Sequence, residues 1–511
     1  MSRAPEDPDG GGLTMSRAPE HPATPAPLTL KRGFGARALF TLAFADISPI
    51  VALYTVLSII VALAGPGFWW AFLPVLVGQL LVALLFGELA SRWPMAGSVY
   101  QWARHAIGPR YGWFTAWAYI WGLTIALAAL AYGASGFLLG AAGVVGPGHL
   151  AQALVAVGLV AFASTINATG RIYLKVFLSL SLACEVIGSI GLGTLLLVHY
   201  QTNPIGSLVN GAGVAHGGSW IGGPLIAAIA VVGWSFLGFE SAGSVAEEAH
   251  EPERDVPKAI FLGLLCVGLI VLYSGLAFDL AIPNLKAVMA GRVADPIAAT
   301  LTAHLGSGAA RGFQVLFLIG FLASFLAVQS AVTRCIWASA RDRTLPGHRF
   351  LVRLTRTERL PYAAILLTAI VAAGLPFLSG TNVYAVLIAF TNIGFYTAFA
   401  LPVFGLAYLR LRGRWIPGRF SLGRSGKLVT YIAAPWLLVE IVNIAWPRAS
   451  LYGAGYLAWS VVIMIGILGV AGALLCAWAF RDGGRHVRAV AESMQPPPAA
   501  ADKATAGALK P

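Results

Sequence analysis

Long apolar runs follow one another through most of this chain of 511 residues. Each is long enough to cross a hydrocarbon layer, which takes roughly 20 residues of helix. We place about twelve of them, near 38–63, 69–90, 111–140, 149–167, 174–198, 221–246, 259–282, 312–338, 362–379, 382–409, 428–446 and 454–480. Only 11% of the residues are charged, whereas soluble domains carry about 25%. The sequence therefore predicts an all-α polytopic membrane protein with about twelve transmembrane helices.

The basic residues between these runs indicate the orientation of the chain. One set of loops holds most of the Arg and Lys residues, including six arginines within 341–359. The opposite loops hold only Lys286, Arg292 and Arg448, with Arg311 near an interface. Because Lys and Arg are enriched in cytoplasmic loops, we expect a multi-pass protein of the plasma (inner) membrane with both termini cytoplasmic. The net charge of +13 is then a topology signal that needs no nucleic-acid partner, and contact with anionic lipids fits the same loops.

The two ends of the chain lack apolar runs. Residues 1–34 and 481–511 are predicted to be disordered cytoplasmic tails. The string MSRAPE occurs at Met1 and again at Met15, so either methionine is a possible native start.

The four cysteines lie inside apolar runs without metal-ligand spacing, which indicates buried small side chains and neither disulfides nor a metal site. No cofactor is expected.

The first apolar run is interrupted at its centre. It contains Asp46, followed by Ser48 and Pro49. Proline removes a backbone hydrogen bond and clashes with the preceding turn, so the helix should kink or break at this point.

The sixth run is interrupted as well. Gly233, Gly238 and Gly243 surround Glu240, a carboxylate near membrane depth. An ionised group there costs about 2.5–3.5 kcal/mol on insertion scales, and loosened backbone persists in lipid only where it lines a cavity. We interpret the two interruptions as parts of one substrate or ion site. The alternatives are a Gly-rich packing face and two unrelated kinks.

The positions of the interruptions suggest internal symmetry. Breaks in the first and sixth helices are typical of a transporter built from two inverted five-helix repeats with a site near the midplane. The predicted division is 35–200 for the first repeat (helices 1–5), 201–410 for the second (helices 6–10) and 411–480 for two further helices, 11 and 12.

Three motifs carry a resemblance to a known family. They are GWSFLGFESAGSVAEEAHEPERDVPKAI at 233–260, GELASRWPMAGSVYQWARHAIGPRYGWFTAWAYIWG at 87–122 and QSAVTRCIWASARDRTLPG at 329–347. Taken in chain order, the three motifs resemble the amino acid–polyamine–organocation (APC) superfamily of permeases, and especially its amino acid/choline transporter branch. The resemblance covers most of residues 35–410. It implies a leucine-transporter-type fold with a 5+5 inverted repeat, broken helices 1 and 6, and two extra helices.

The resemblance also implies roles for residues of the sixth helix. Trp234 matches the aromatic gate over the substrate, and Gly238 permits the break. Phe239 and Glu240 follow the break, at a position that the family links to proton sensing or coupling. The spacing of Trp234, Gly238 and Ser241 predicts that all three share one helical face, which favours the gate over ordinary core packing.

Two departures from the family pattern concern the first and fifth helices. Family members usually break helix 1 at a Gly-Ser/Thr-Gly triplet whose free amides receive a substrate carboxylate. Ile47, Ser48, Pro49 and Ile50 stand here, and Pro49 has no N–H. Many proton-coupled members carry a lysine in helix 5, where this chain has Glu185 in a similar register.

Four acids lie at membrane depth: Asp46, Glu185, Glu240 and Glu440. Burial allows a carboxyl group to exchange protons near neutral pH. We predict that Glu185 or Glu240 takes up the proton that accompanies the substrate, and that Glu440, outside the repeats, matters less. Asp46 is either part of the site or a residue that stabilises the broken helix next to an aqueous vestibule.

An acidic cavity with an aromatic gate favours a substrate with an ammonium group. We expect an amino acid, a polyamine or a choline-like amine. The predicted lining, in which each residue also has a packing alternative, is Asp46, Ser48, Pro49, Ile50, Trp234, Gly238, Phe239, Glu240, Ser241, Thr391, Asn392 and Tyr396. Ser324 and Gln329 are weaker candidates for a coupling-ion region.

Beyond the sixth helix, Glu247, Glu248, Glu251, Glu253 and Asp255 face Arg254, Lys258 and nearby basic loops. They form either a salt-bridge gate or a solvated run of charges, and the small contribution of surface pairs favours the solvated run.

The predicted function is secondary active transport of an amino acid or related amine by alternating access, with proton symport or exchange. The alternative is a permease-like nutrient sensor that binds the same ligand without net transport. An enzyme is not indicated, because the nine histidines lie in tails, loops or span ends and supply neither a catalytic base nor metal ligands at depth. A channel is disfavoured by the lack of a filter repeat. The sequence specifies neither the substrate, the coupling ion nor the oligomeric state.

Overall fold

A computed structural model gives the fold and describes residues 33–144, 146–209, 219–293, 295–355, 357–378 and 383–481. The predicted disordered tails, with the two candidate start methionines, lie almost wholly outside the described residues. Across the described ranges the chain is helical, and the only extended pairing is a single bridge between Phe34 and Ala249.

The α-helices are numbered in chain order. They are α1 (Ala36–Ile47), α2 (Pro49–Tyr54), α3 (Leu57–Ala64), α4 (Phe72–Arg92), α5 (Val99–Ala106), α6 (Pro109–Ala141), α7 (His149–Thr169), α8 (Arg171–Glu185), α9 (Leu192–His199), α10 (Ile226–Val232), α11 (Ser241–Ser244), α12 (Pro252–Ala281), α13 (Leu285–Met289), α14 (Pro296–Arg341), α15 (His348–Leu351), α16 (Tyr362–Gly374), α17 (Val383–Leu411), α18 (Ser425–Ala445), α19 (Ala449–Tyr452) and α20 (Ser460–Ala479). Short 3₁₀ or π turns join several of them, and α14 has a kink at Gly306 (φ +80°).

In the described part of the chain, eleven helical segments are long and apolar enough to cross a membrane. They are Ala36–Tyr54, Leu57–Arg92, Pro109–Ala141, His149–Thr169, Ile172–His199, Ile221–Ser244, Pro252–Ala281, Pro296–Arg341, Val383–Leu411, Ser425–Ala445 and Gly455–Ala479. The prediction of a polytopic, all-α membrane protein is confirmed, whereas the count of about twelve spans is not reached. The run at 362–379 forms a shorter apolar helix, Tyr362–Phe377, because α16 passes into a 3₁₀ turn at Leu375-Pro376.

The helices differ in how deeply they are buried. Nearly four fifths of the apolar part of α14 is buried inside the protein, whereas only a third of the apolar part of α18 and less than a fifth of that of α20 is buried. Exposed apolar side chains on α18 and α20 are those expected of helices that face lipid. The centre of the bundle therefore lies around α1, α6, α14 and α17, and the two interrupted segments pass through it.

A close helix crossing holds this centre together. Gly122 of α6 and Gly394 of α17 face each other, and a Cβ added to Gly394 would lie 2.6 Å from the Cα of Gly122. Small residues allow such approach between membrane helices. The crossing brings Thr391 and Phe395 of α17 against α6, where they line the site described next.

Candidate functional site

The first interrupted helix breaks at Ser48. α1 ends at Ile47, Ser48 has φ +51°, and α2 begins at Pro49. A positive φ is uncommon for a residue other than glycine and is concentrated at functional or strained positions. The Ser48 hydroxyl accepts a hydrogen bond from the amide of Val51 (3.1 Å) and caps α2. The predicted break in the first helix is confirmed.

The second break lies between α10 and α11. After α10 the chain forms a 3₁₀ turn at Gly233–Phe236, then becomes extended at Leu237 and left-handed at Gly238 (φ +97°). Glycine is the residue that adopts this conformation without strain. The predicted break around Gly238 is therefore confirmed.

Polar side chains satisfy the backbone groups that the two breaks leave open. The Ser324 hydroxyl donates to the carbonyl of Asp46 (2.7 Å), and the Ser235 hydroxyl donates to the carbonyl of Ala52 (2.5 Å). The Asn392 amide donates to the carbonyl of Ala230 (2.9 Å). An unpaired backbone group in hydrocarbon is costly, so these contacts explain how non-helical backbone persists inside the bundle.

A small cavity of about 20 Å³ lies where the two breaks meet. It is lined from both breaks and from α6, α14 and α17 by Asp46, Ile47, Val51, Ala126, Leu130, Trp234, Leu237, Gly238, Ser324, Val328, Thr391 and Phe395. One water molecule needs roughly 10–15 Å³ on the same scale. The site in this conformation therefore has room for about one water, and an organic solute enters only if the helices move.

Two carboxyl groups lie beside this cavity. Asp46 lines it, is 5% exposed and has one oxygen without a hydrogen-bond partner. Glu240 is fully buried, accepts a hydrogen bond from the hydroxyl of Tyr119 (2.6 Å), and also has one unpartnered oxygen. The two carboxyl groups interact electrostatically across the break. Tyr119 was not recognised in the sequence, where it resembled any other apolar residue of α6.

A third carboxyl group, Glu185, binds the first break directly. It is the last residue of α8, is 1% exposed and precedes a π turn at Val186–Gly191. One oxygen accepts the Ser48 hydroxyl and the other accepts the backbone amide of Ile50 (2.9 Å). The wider turn of a π-helix often marks a functional position.

None of these three carboxyl groups has a cationic partner among the described residues. The ion pairs in that part of the chain include Arg104–Asp342, Arg254–Glu251, Arg334–Glu248, Arg341–Glu247 and Arg410–Glu88. A buried carboxylate needs a compensating charge or a proton. Each of these three carboxyl groups is therefore a group that a proton or a cation can neutralise.

The other predicted site residues lie around the breaks in different roles. Trp234 lines the cavity and is 7% exposed. Pro49 and Ile50 form the buried start of α2. Asn392 and Tyr396 lie on α17 beside the break, Asn392 bound to α10 and Tyr396 packed against Gly233.

Phe239 and Ser241 do not line the cavity, although the Ser241 side chain lies beside the Asp46 carboxyl group. Phe239 packs between the rings of Phe86 and Phe399, with centroids 5.8 and 5.2 Å away. Ser241 is buried at the start of α11 and does not line the cavity. The prediction that Trp234, Gly238 and Ser241 share one helical face is wrong, because Leu237 is extended and Gly238 is left-handed. Gln329 bonds to Asn167 and Ser164 and is removed from the breaks.

A layer of ion pairs closes the end of the bundle that carries the basic loops. Asp342, at the end of α14, binds Arg104 of α5 and accepts the Tyr100 hydroxyl (2.5 Å). Burial, with the neighbouring Asp342 carboxylate, raises the pKa of Tyr100 well above its usual value, so its hydroxyl stays a donor. We call this end the basic end.

Two further pairs belong to the same layer. Arg334 binds Glu248 (2.9 Å), and Arg341 binds Glu247 through both guanidinium nitrogens (3.2 Å each). The expectation of a solvated charge run is therefore wrong for Glu247 and Glu248, which are drawn inward because the break turns the chain towards α14. The expectation of a solvated charge run is confirmed for Arg254 and Glu251, whose ion pair is exposed.

The opposite end of the bundle is open. A vestibule of about 600 Å³ lies between α2, α6, the start of α14 and α17, and Tyr54, Gly133 and Phe137 form part of its wall. On α6, Gly133 follows the cavity residue Leu130 by one turn. The vestibule thus reaches to within about one helical turn of the cavity.

Gly238→Ala is expected to destabilise the protein more than the same change at a tolerant glycine. Alanine at φ +97° is strained by about 1–2 kcal/mol, and its Cβ would collide with the Asp46 carboxyl group, for which overpacking adds about 1–3 kcal/mol. Gly347→Ala is the control, because Gly347 also has positive φ (+67°) but nothing lies within 4 Å of an added Cβ. Thermal unfolding in detergent compares the two. Equal losses would show that the Asp46–Gly238 contact is unimportant.

These features define a class of protein. A bundle of apolar helices, two of them interrupted at a buried polar cavity that adjoins a vestibule, is a multi-pass membrane protein built around an internal site. The model of the family described as amino acid permease matches residues 34–470. The chain belongs to this family, within the APC superfamily, which confirms the resemblance of its motifs. It is therefore a transporter-type protein and not an enzyme.

Individual relatives agree with the family. The chain is 24% identical over 453 residues to an uncharacterized amino-acid permease of Schizosaccharomyces pombe, covering 85% of this chain and 82% of that protein. It is 25% identical over 445 residues to the branched-chain amino acid permease BcaP of Bacillus subtilis, covering 83% and 90%. It is 26% identical over 285 residues to the low-affinity putrescine importer PlaP of Escherichia coli K12, covering 54% and 59%.

Proposed function

We propose that this chain is a secondary active permease that moves an amino acid or related amine across the plasma membrane by alternating access, coupled to protons. One observation supports this most directly. The two helix breaks meet at a buried cavity lined by Asp46, and two further carboxyl groups without a cationic partner among the described residues lie at the breaks, Glu240 at the second and Glu185 at the first.

The charge of the site favours a cationic cargo. An ammonium group entering the cavity would meet Asp46 from the first interrupted helix, with Glu240 and the ring of Trp234 from the second, so ion pairing and cation–π contact would act together. The names of two relatives include a branched-chain amino acid and putrescine. Both cargo types carry an ammonium group, which is the chemistry that this site is suited to bind.

The conformation fits one half of a transport cycle. The basic end is closed by buried ion pairs, while the vestibule approaches the cavity from the other end. If the basic loops are cytoplasmic, as their charge predicts, this state is closed to the cytoplasm. Alternating access then requires rearrangement of helices around the cavity, in the 5+5 inverted-repeat arrangement that the family implies.

Binding and flux separate the permease from a nutrient sensor of the same fold. Purified protein is first screened by thermal shift against amino acids, polyamines and quaternary amines. Compounds that raise the unfolding temperature are then tested for counterflow in proteoliposomes loaded with unlabelled compound. Counterflow supports the permease, whereas binding without counterflow supports the sensor. Absence of any hit in all three classes contradicts both.

Uptake is expected to follow an imposed pH gradient. If a buried carboxyl group carries a proton inward with the cargo, uptake rises when the external solution is made more acidic than the vesicle lumen and falls when the gradient is collapsed by a protonophore. We expect the initial rate to change by about tenfold per pH unit at most, since a single proton changes its occupancy by that factor. Initial rates that do not depend on the gradient contradict proton coupling but leave exchange possible.

A further inference from the structure

Glu185 binds the start of α2 at the first helix break. The start of an interrupted helix presents unpaired backbone N–H groups, which attract negative charge. Here Pro49 has no N–H, the amide of Val51 is bound by the Ser48 hydroxyl, and the amide of Ile50 is bound by Glu185. The next amide, that of Ala52, donates to the carbonyl of Ser48 (2.8 Å). No donor at the start of α2 remains for a cargo carboxylate.

The Glu185 carboxyl group is held between two elements, the start of α2 and α14. Its two oxygens accept from Ser48 and Ile50 at the start of α2. On the other side α14 approaches through Gly320, where an added Cβ would lie 2.9 Å from a Glu185 oxygen. The turn that follows Glu185 is tied to α2 because the Tyr54 hydroxyl donates to the carbonyl of Gly188 (2.8 Å). The contacts use both carboxyl oxygens as acceptors, as an ionised carboxylate does.

From this arrangement we propose that Glu185 acts as a built-in substitute for a cargo carboxylate and restricts the cargo to organic cations without one, namely monoamines and diamines. The inference rests on the proposed transport function and makes its substrate class narrower. A zwitterionic amino acid would bring its carboxylate to a site with Asp46, Glu185 and Glu240 and with no free backbone donor at the first break. Burying that charge unpaired is unfavourable.

The test compares each amino acid with the amine obtained from it by decarboxylation. Ornithine and putrescine, tyrosine and tyramine, and histidine and histamine differ only by the carboxylate, so side-chain effects cancel within a pair. Thermal shift and counterflow are measured with the full-length protein. We expect the amine to be preferred by about tenfold or more in the pair whose side chain fits, since an unmade charge-assisted hydrogen bond costs about 1.5–3 kcal/mol.

Substitution at Glu185 then shows whether this residue sets the preference. Glu185→Ala frees the amide of Ile50 and removes one negative charge, so the preference for the amine should fall about tenfold or reverse. Glu185→Gln keeps the size and an oxygen that can accept from Ile50, so it should fold as wild type does and retain part of the preference. Glu440→Gln, which neutralises a buried acid on α18 bonded to Asn443, is the control and should leave the ratio unchanged.

The outcomes separate this inference from the function on which it rests. A wild-type protein that takes the amino acid of a pair in preference to its amine overturns the role of Glu185 and leaves the permease intact. If the protein neither binds nor exchanges any amino acid or amine, the proposed permease function is overturned. The inference is also overturned if Glu440→Gln changes the amine preference as much as Glu185→Ala does, because the effect is then not local to the first break.

Discussion

Replacing Glu240 by Gln is expected to abolish the response of uptake to a pH gradient. Glutamine has the size of glutamate, and its amide oxygen can still accept the hydroxyl of Tyr119, which lies 2.6 Å from the carboxylate. It cannot bind a proton or balance the charge of an ammonium group. Net uptake driven by the gradient should therefore fall by about tenfold or more, while the protein stays folded.

The measurement is the initial rate of uptake in proteoliposomes at several external pH values with a fixed internal pH. The wild-type rate should vary with pH and the Glu240→Gln rate should not. Glu440→Gln is the matched control, since it is the same substitution at a second buried acid, 2% exposed, that lies on α18 and does not line the cavity. A Glu240→Gln protein whose rate keeps the wild-type pH dependence would assign proton uptake to another group.

Counterflow by the same variant distinguishes two roles for Glu240. A carboxyl group that only carries the proton is not needed for exchange of like cargo, so counterflow should persist. A carboxylate that pairs with the cargo ammonium is needed in both assays. Because Asp46 interacts with Glu240 across the break, we expect counterflow to be reduced but measurable, with Asp46 still able to pair with the cation.

The position of each break could be predicted from local sequence. Pro49 cannot continue a hydrogen-bonded helix, and Gly238 is one of three closely spaced glycines in an apolar run that also holds an acid. Both effects act within a few residues of the chain. The observed breaks accordingly fall at Ser48 and at Leu237-Gly238.

The contacts across the bundle could not be predicted in the same way. Glu185 binds the amide of Ile50 from 135 positions away, and only the packing of α8 against α1 and α14 determines that register. The helical periodicity of the sixth apolar run did not predict which of its residues share a face, for a similar reason. A helical pattern assumes 100° per residue, and the extended Leu237 followed by a left-handed Gly238 turns Phe239 away from Trp234 towards Phe86.

The charged segment after the sixth helix shows a second kind of contact that local sequence does not predict. Five acids within 247–255 resemble a solvated run, and small contributions are the rule for exposed pairs. Burial of Glu248 depends on Arg334 of α14, a partner that is far away in sequence. Sequence alone therefore assigned the run correctly where it is exposed and incorrectly where α14 covers it.

Arg104→Leu is expected to destabilise the closed basic end strongly. Arg104 and Asp342 are buried, with side chains 8% and 0% exposed. Removal of one partner from a buried pair leaves an uncompensated charge and typically costs about 3–5 kcal/mol. The Tyr100 hydroxyl, which also binds Asp342, offsets part of this loss, so about 3 kcal/mol is the expected reduction in stability.

Two measurements show whether the ion-pair layer both stabilises the fold and closes this end. Thermal unfolding compares Arg104→Leu with Arg254→Leu, whose pair with Glu251 is about half exposed and should contribute about 0–1 kcal/mol. Labelling by a membrane-impermeant maleimide then follows Cys335, which is fully buried on α14 between Arg334 and Asp342, after the other three cysteines are replaced. Opening of the basic end should speed that labelling at temperatures where Arg104→Leu is still folded. If the two variants unfold at the same temperature and Cys335 is labelled at the wild-type rate, the Arg104–Asp342 pair neither stabilises the fold nor keeps the basic end closed.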